Sequence, residues 1–180
     1  MTSNTYTQLN NPRTSTYNEF KRIIRSDTFD WNYYPRSDKT SNPAMLSHTF
    51  IKRPSEHWTN DEIPIKYPTV HCNGAMFAHD VVQEILNHNG ITLNCIYRMN
   101  LNMVYPQAGN QRTPVHVDHS FPHDNIIIYF SNEGKTILEN DEHDPNEDDV
   151  IMFPGVPHCI ELPKNDTRLV LVVTCLTSRD

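Results

Sequence analysis

The chain has 180 residues and a formal charge of −7, from 22 acidic side chains against 15 Lys and Arg, with ten histidines counted as neutral. A length just above one ordinary domain, 37% hydrophobic residues and a mean hydropathy of −0.62 provide for a buried core and exclude a long apolar membrane span. The acidic balance argues against binding to phosphate backbones, which depends on Lys and Arg, so nucleic acid is not the expected partner.

The opening MTSNTYTQLNN has no basic stretch followed by an apolar one, so no signal peptide is expected and the expected location is cytoplasmic. Residues 1–14 are polar and aperiodic, and are expected to fray. Thr16-Tyr17-Asn18-Glu19 has the form of a capping box, followed by Phe20, Ile23 and Ile24 at helical spacing, which predicts a helix over 16–26. Phe29, Trp31, Tyr33 and Tyr34 form an aromatic segment suited to packing or to covering a pocket. Arg36 to Asn42 reads as a loop. Over 74–89 the apolar residues Ala78, Val81, Val82, Ile85 and Leu86 make one helical stripe, with Gly90 as its stop.

From Ile91 to Tyr105 the period changes to two, predicting a long strand with an apolar odd face and a polar even face whose Arg98, Asn100 and Asn102 either line the substrate side of a barrel or form an exposed sheet face. Further strands are predicted at 113–119, 125–131, 135–139, 149–153, 157–162 and 167–176. Short strands at this spacing indicate a sandwich or barrel. The acidic run 139–149 reads as a solvated, mobile loop. Cys72, Cys95, Cys159 and Cys175 are scattered and form no C-x-x-C, which favours reduced, half-buried thiols. The expected fold is mainly β, a jelly roll with N-terminal supporting α-helices. A single domain over 1–180 is expected, with 1–90 as extension and helical support and 91–176 as the jelly-roll core.

His116-Val117-Asp118 lies in the predicted strand 113–119, where alternate side chains share a face and can converge on one ion, while Val115 and Val117 pack on the other face. His158 opens a later strand after the turn Phe153-Pro154-Gly155-Val156. Ten residues further, Arg168 begins an otherwise apolar strand, where burying a guanidinium is costly unless a carboxylate meets it. Two His and one carboxylate occupy one face of a divalent ion and leave the other open, which suits non-haem Fe(II). His119 and His123 are expected at solvent or at a pocket mouth.

These residues resemble the iron(II)/2-oxoglutarate-dependent dioxygenases, whose core is a double-stranded β-helix, over roughly residues 95–176. Within that superfamily the closest resemblance is to the prolyl-hydroxylase branch and the small phage-encoded 2-oxoglutarate oxygenases. The resemblance implies Fe(II), 2-oxoglutarate and O2 as cofactor and co-substrates, and His116, Asp118 and His158 as catalytic iron ligands. It implies that Arg168 and Tyr129 hold the distal carboxylate of 2-oxoglutarate, with Tyr105 a second tyrosine facing the co-substrate. Val170 stands where the common R-x-S form has Ser, which speaks against the plant-type and DNA-repair branches. Strand parity puts Tyr105 on the face of Leu101 and Met103, so either a bulge near Pro106 turns it toward the co-substrate or it belongs to the core.

The implied activity is hydroxylation of a peptide or small-molecule substrate, with release of succinate and CO2. A peptidyl proline comes first, then a free amino acid or other small molecule, then a nucleobase. Two rivals stand beside this reading. A metallo-β-lactamase-type hydrolase uses H-x-H-x-D-H, but Pro114 replaces the first His here. A non-catalytic cupin-like module would bind a metal or small molecule without turnover, and has no need of Arg168.

Overall fold

The computed structural model describes residues 5–35, 43–53, 67–108 and 112–179. The predicted loop at 36–42 lies outside these residues. In chain order the elements are β1 (Thr7–Leu9), α1 (Ser15–Ile24), β2 (Asn32–Tyr34), β3 (Met45–Lys52), β4 (Thr69–Val70), α2 (Ala75–His88) and β5 (Ile91–Val104). They continue with β6 (Asp124–Tyr129), β7 (Thr136–Leu138), β8 (Asp141–His143), β9 (Val150–Pro154), β10 (His158–Ile160) and β11 (Arg168–Arg179). Two antiparallel sheets result. The larger has the order β1-β9-β6-β11-β5-β3-β2 with β4 attached to β3, and the smaller has the order β10-β7-β8. This is the expected mainly β jelly roll.

Strand alternation divides the large sheet into two faces. Leu169, Leu171 and Val173 of β11 join Met99 and Leu101 of β5 and Ile126 and Ile128 of β6 on the outer face. There they pack against Tyr17, Phe20 and Ile24 of α1 and the Ala78, Val81, Val82, Ile85 and Leu86 stripe of α2. Each Val, Leu, Ile, Met or Phe among them contributes about 1.5–3 kcal/mol on full burial. The inner face carries Val170, Tyr129, Ile127, Ile151 and Phe153, which meet Leu138 from the small sheet. Helices cover one face of the large sheet, and the small sheet closes over the other.

The cap of α1 differs from the prediction. Thr14, not Thr16, accepts the free amide of Tyr17 at 3.1 Å. Thr16 instead donates to Glu84 of α2 at 2.8 Å, and Glu19 is taken by Arg22. A cap two residues earlier lets both threonines tie α1 to α2, since Thr14 also donates to Glu84. Gly90 ends α2 with φ +66, as its sequence position implied.

The first ninety residues supply strands as well as helices. β1, in the stretch expected to fray, pairs with β9, Thr7 opposite Met152. β3 has no counterpart in the prediction, because its bulge at Phe50 buries Ser47 and Phe50 three residues apart and hides the alternation. Tyr33 and Tyr34 sit on the edge strand β2 and are exposed.

The acidic run is ordered rather than mobile. β8 lies within it, and Asp148, at φ +74, accepts from Tyr17 Oη (2.6 Å) and Lys21 Nζ (2.5 Å). Glu147 pairs with Lys21 and Arg25. These contacts bolt the segment to α1, which a composition argument does not detect.

Residues 113–119 do not form the predicted strand. Pro114 has no amide to donate, and only isolated bridges join this segment to the small sheet, Arg112 with Glu161 and His116 with His158. Val115 and Val117 consequently face outward, 67% and 43% exposed, instead of packing. All four cysteines are free thiols. Among the described residues, no helix is long and apolar enough to cross a membrane.

Candidate metal and anion site

The bridge between His116 and His158 sets the site. Each backbone amide donates to the other's carbonyl at 3.0 Å, so the two histidines face each other across the seam, their rings 4.5 Å apart. Asp118 follows on the same segment, and one ligand atom from each of His116, Asp118 and His158 lies within 4.8 Å of the others.

Both imidazoles have one nitrogen already committed. His116 Nδ1 lies 3.1 Å from the Pro114 carbonyl, and His158 Nδ1 lies 2.9 Å from the Val156 carbonyl. A carbonyl only accepts, so each Nδ1 carries the proton and each Nε2 presents a lone pair. Burial lowers the affinity of His158 for a second proton, outweighing the opposing pull of the Val156 carbonyl and Asp118. A neutral imidazole is the ligating form. The donor set therefore fits a divalent ion held by two Nε2 atoms and one carboxylate.

Asp118 is buried and has two different neighbours. Its Oδ1 accepts from Arg98 Nη1 at 3.1 Å, while Oδ2 lies 3.5 Å from His158 Nε2. Arg98 thus takes the outer oxygen and leaves the inner one to the cluster.

Arg168 begins β11 on the inner face and is only 3% exposed, although an ordinary residue at a strand start would send its head to solvent. Its Nε donates to the Gly134 carbonyl at 3.2 Å and its Nη2 to Thr136 Oγ1 at 3.1 Å. The guanidinium carbon lies 5.6 Å from the Tyr129 ring centroid. The Tyr129 hydroxyl shares a 2.6 Å hydrogen bond with Thr136, and burial pushes its pKa up to about 12, so it stays protonated. Among the described residues no carboxylate pairs with Arg168. Burial lowers its pKa, with Tyr129 opposing, which marks a cation held out of water without a counter-ion.

Tyr105 goes elsewhere. It lies just beyond β5, 44% exposed, and borders a surface groove with Tyr33, Met45, Leu46 and Gln107. Arg98, expected either to line the substrate side of the barrel or to lie on an exposed sheet face, turns inward and meets Asp118, whereas Thr136, which meets Arg168, carried no signal in the sequence. His119 and His123 are buried rather than at solvent or a pocket mouth. His119 Nε2 lies 3.1 Å from Thr174 Oγ1, and the His123 ring rests on Gly155. The irregular course of 117–123 turns them inward, which a regular strand would not.

No known family model matches the sequence, and no curated protein does either. Solved structures do match in fold. An oxidoreductase of the 2OG-Fe(II) oxygenase family from Burkholderia pseudomallei superposes with a TM-score of 0.62 at 12% identity, covering 98% of this chain and 86% of the other. A Pseudomonas putida prolyl-4-hydroxylase gives a TM-score of 0.54 at 15% identity, covering 99% and 94%. The chain shares the fold of these two structures. At these identities the likeness extends to architecture, the double-stranded β-helix with helices on one side, and the chemistry rests on the side chains.

Proposed function

We propose that this protein is a 2-oxoglutarate- and Fe(II)-dependent oxygenase that hydroxylates a peptide or small-molecule substrate. The observation that carries the reading is the pairing of a His116–Asp118–His158 cluster with a buried guanidinium, Arg168, that lacks a carboxylate partner among the described residues. A metal-binding module needs the first and gains nothing from the second.

His116 Nε2, His158 Nε2 and the Asp118 carboxylate would hold the ion. With iron(II) bound, 2-oxoglutarate and dioxygen supply an oxidative decarboxylation that gives succinate and CO2 and hydroxylates a C–H bond. The protein's part is orientation. The Pro114 and Val156 carbonyls fix both ring tautomers, and Arg98 keeps one carboxylate oxygen of Asp118 occupied. Arg168, with donors left over from Gly134 and Thr136, would pair with the distal carboxylate of 2-oxoglutarate, and the Tyr129 hydroxyl stands beside it as a second donor. The apolar neighbours Val170, Ile127 and Ile151 keep water from competing for that pair.

The test is Fe(II)-dependent succinate production from 2-oxoglutarate. It should be abolished by His116→Ala and by Asp118→Ala, and normal turnover in either variant removes the ligand assignment. Metal binding without 2-oxoglutarate binding would instead indicate a non-catalytic module.

A further inference from the structure

The strand registers place Arg98, Thr174, Asn125 and Phe153 in one row across β5, β11, β6 and β9, on the inner face. Both ends of the row reach the ligand cluster. Arg98 holds Asp118 at one end, and at the other the Phe153 ring lies 5.2 Å from the His158 imidazole. The row therefore runs beneath His116, Asp118 and His158. Asn100 starts the next row, opposite Val172.

Asn125 is 1% exposed, and neither its Oδ1 nor its Nδ2 has a hydrogen-bond partner. Whichever way its amide is turned, it offers one donor and one acceptor. Asn100 Oδ1 and His123 Nε2 are likewise buried and unpaired. His123 Nδ1 gives its proton to the Phe121 carbonyl at 2.7 Å, so Nε2 is an acceptor. Elsewhere on this face polar groups satisfy one another, as Ser47 does with Asn102 at 2.8 Å and Thr174 with His119 at 3.1 Å. Unpaired buried polar atoms are costly and call for a partner. Here they lie near the cluster end of the sheet.

We propose that this row is the primary-substrate subsite and that it takes a free amino acid, a compact zwitterion, in preference to a peptidyl proline. The inference rests on the oxygenase reading above. The unpaired acceptors on Asn125 and His123, two residues apart in the chain, suit an ammonium group with several N–H donors, and Asn100 adds an acceptor farther along the same face. Arg98 gives one donor to Asp118 and has others for a carboxylate, with the charge of Arg53 close enough to act on it. A prolyl residue within a chain has no N–H and presents an apolar ring, which would leave the Asn125 acceptor unsatisfied.

The test uses full-length protein loaded with Mn(II) and 2-oxoglutarate, so that no turnover occurs. Each of the twenty free L-amino acids, and a proline-containing decapeptide, is titrated by calorimetry. At least one free amino acid should bind, with its Kd raised tenfold or more in Asn125→Leu, while the 2-oxoglutarate Kd stays within twofold. Asn100→Ala, at a half-exposed position, tests the same face with the same expectation should Asn125→Leu fail to fold. Binding of the peptide alone, or of no free amino acid, overturns the proposal. So does a variant that keeps the amino-acid Kd or that loses 2-oxoglutarate instead. Wild-type protein that does not bind 2-oxoglutarate at all is a separate result, which removes the oxygenase reading and the subsite with it.

Discussion

Replacing Arg168 with methionine separates two quantities that this side chain ties together. In the free protein the guanidinium is buried and makes hydrogen bonds to Gly134 (3.2 Å) and Thr136 (3.1 Å). Hydrogen bonds to a charged group contribute about 1.5–3 kcal/mol each, so the substitution gives up about 3–6 kcal/mol. Removing a buried, unpaired ion returns several kcal/mol of desolvation cost, and Thr136 keeps its 2.6 Å bond to Tyr129. The two effects nearly cancel. At about 2–4 °C per kcal/mol for a chain of this size, the ligand-free melting temperature should move by only a few degrees.

Co-substrate binding has no such offset. Losing a charge-assisted partner for a buried carboxylate costs about 2–5 kcal/mol, or about 30- to 4,000-fold in Kd. Thermal unfolding of Mn(II)-loaded protein, with and without 2-oxoglutarate, reads both quantities. Wild type at 100 times its Kd should gain about 2.7 kcal/mol, a rise of roughly 5–11 °C, and Arg168→Met at the same concentration should gain less than about 1 kcal/mol, a rise of at most about 4 °C. A variant that retains the ligand-induced rise refutes the role of Arg168. A ligand-free melting temperature more than about 10 °C below wild type refutes the cancellation.

Gly155→Ala would drive a methyl into the His123 imidazole, an overpacking cost of about 1–3 kcal/mol, and should lower both the melting temperature and the Mn(II) affinity through the turn that carries His158. Unchanged values for both would show that the ring yields freely. Tyr17→Phe removes a 2.6 Å bond to Asp148. Burial pushes the Asp148 carboxyl up, but Lys21 and the Tyr17 hydroxyl more than offset this and hold it below its ordinary value. Its stabilisation is present above the ordinary carboxylate pKa and is lost as pH falls through the folded value, so the acid-unfolding midpoint should move to higher pH in Tyr17→Phe. An unmoved midpoint refutes the linkage. His143 is held below its ordinary pKa by burial, against Asp149, so its protonation favours the unfolded chain and stability should fall as pH drops below about 6.5. Urea unfolding at pH 7.5 and 5.5 should show a smaller loss in His143→Leu than in wild type, and an equal loss would exclude His143 as a source.

What was legible in the sequence followed from regular periodicity. The α2 stripe and the alternation of β5 each report one buried face, the apolar run of β11 reports burial on both, and those elements lie where the pattern put them. The pattern fails where the backbone departs from regularity. Register shifts between β11 and β5 near Cys175 and Thr177 exchange the faces of β5 toward its start, so Ile96 and Met99 are both buried although their positions have opposite parity. The bulge in β3 conceals a strand, and Pro114 reduces another to isolated bridges. At the site, residue types and order pointed to His116, Asp118, His158 and Arg168, and the family resemblance to Tyr129; the fold brings the first three together and sets Arg168 beside Tyr129. Contacts formed by distant segments were not legible. Arg98 meets Asp118, and Gly134 and Thr136 meet Arg168, only because strands far apart in sequence become neighbours. Tyr105 followed parity no further than the end of β5, where the chain leaves the sheet.

The seam between residues 112–116 and β10 has little ladder of its own. Two bridges and the Thr113–Ile160 contact join it, and Val115 and Val117 lie outside the packing. An ion shared by His116 and His158 would act there as a clasp, supplying the cross-strand cohesion that proline denies the backbone. Amide exchange at His116 and His158, whose amides pair across this seam, should slow together as the ion binds.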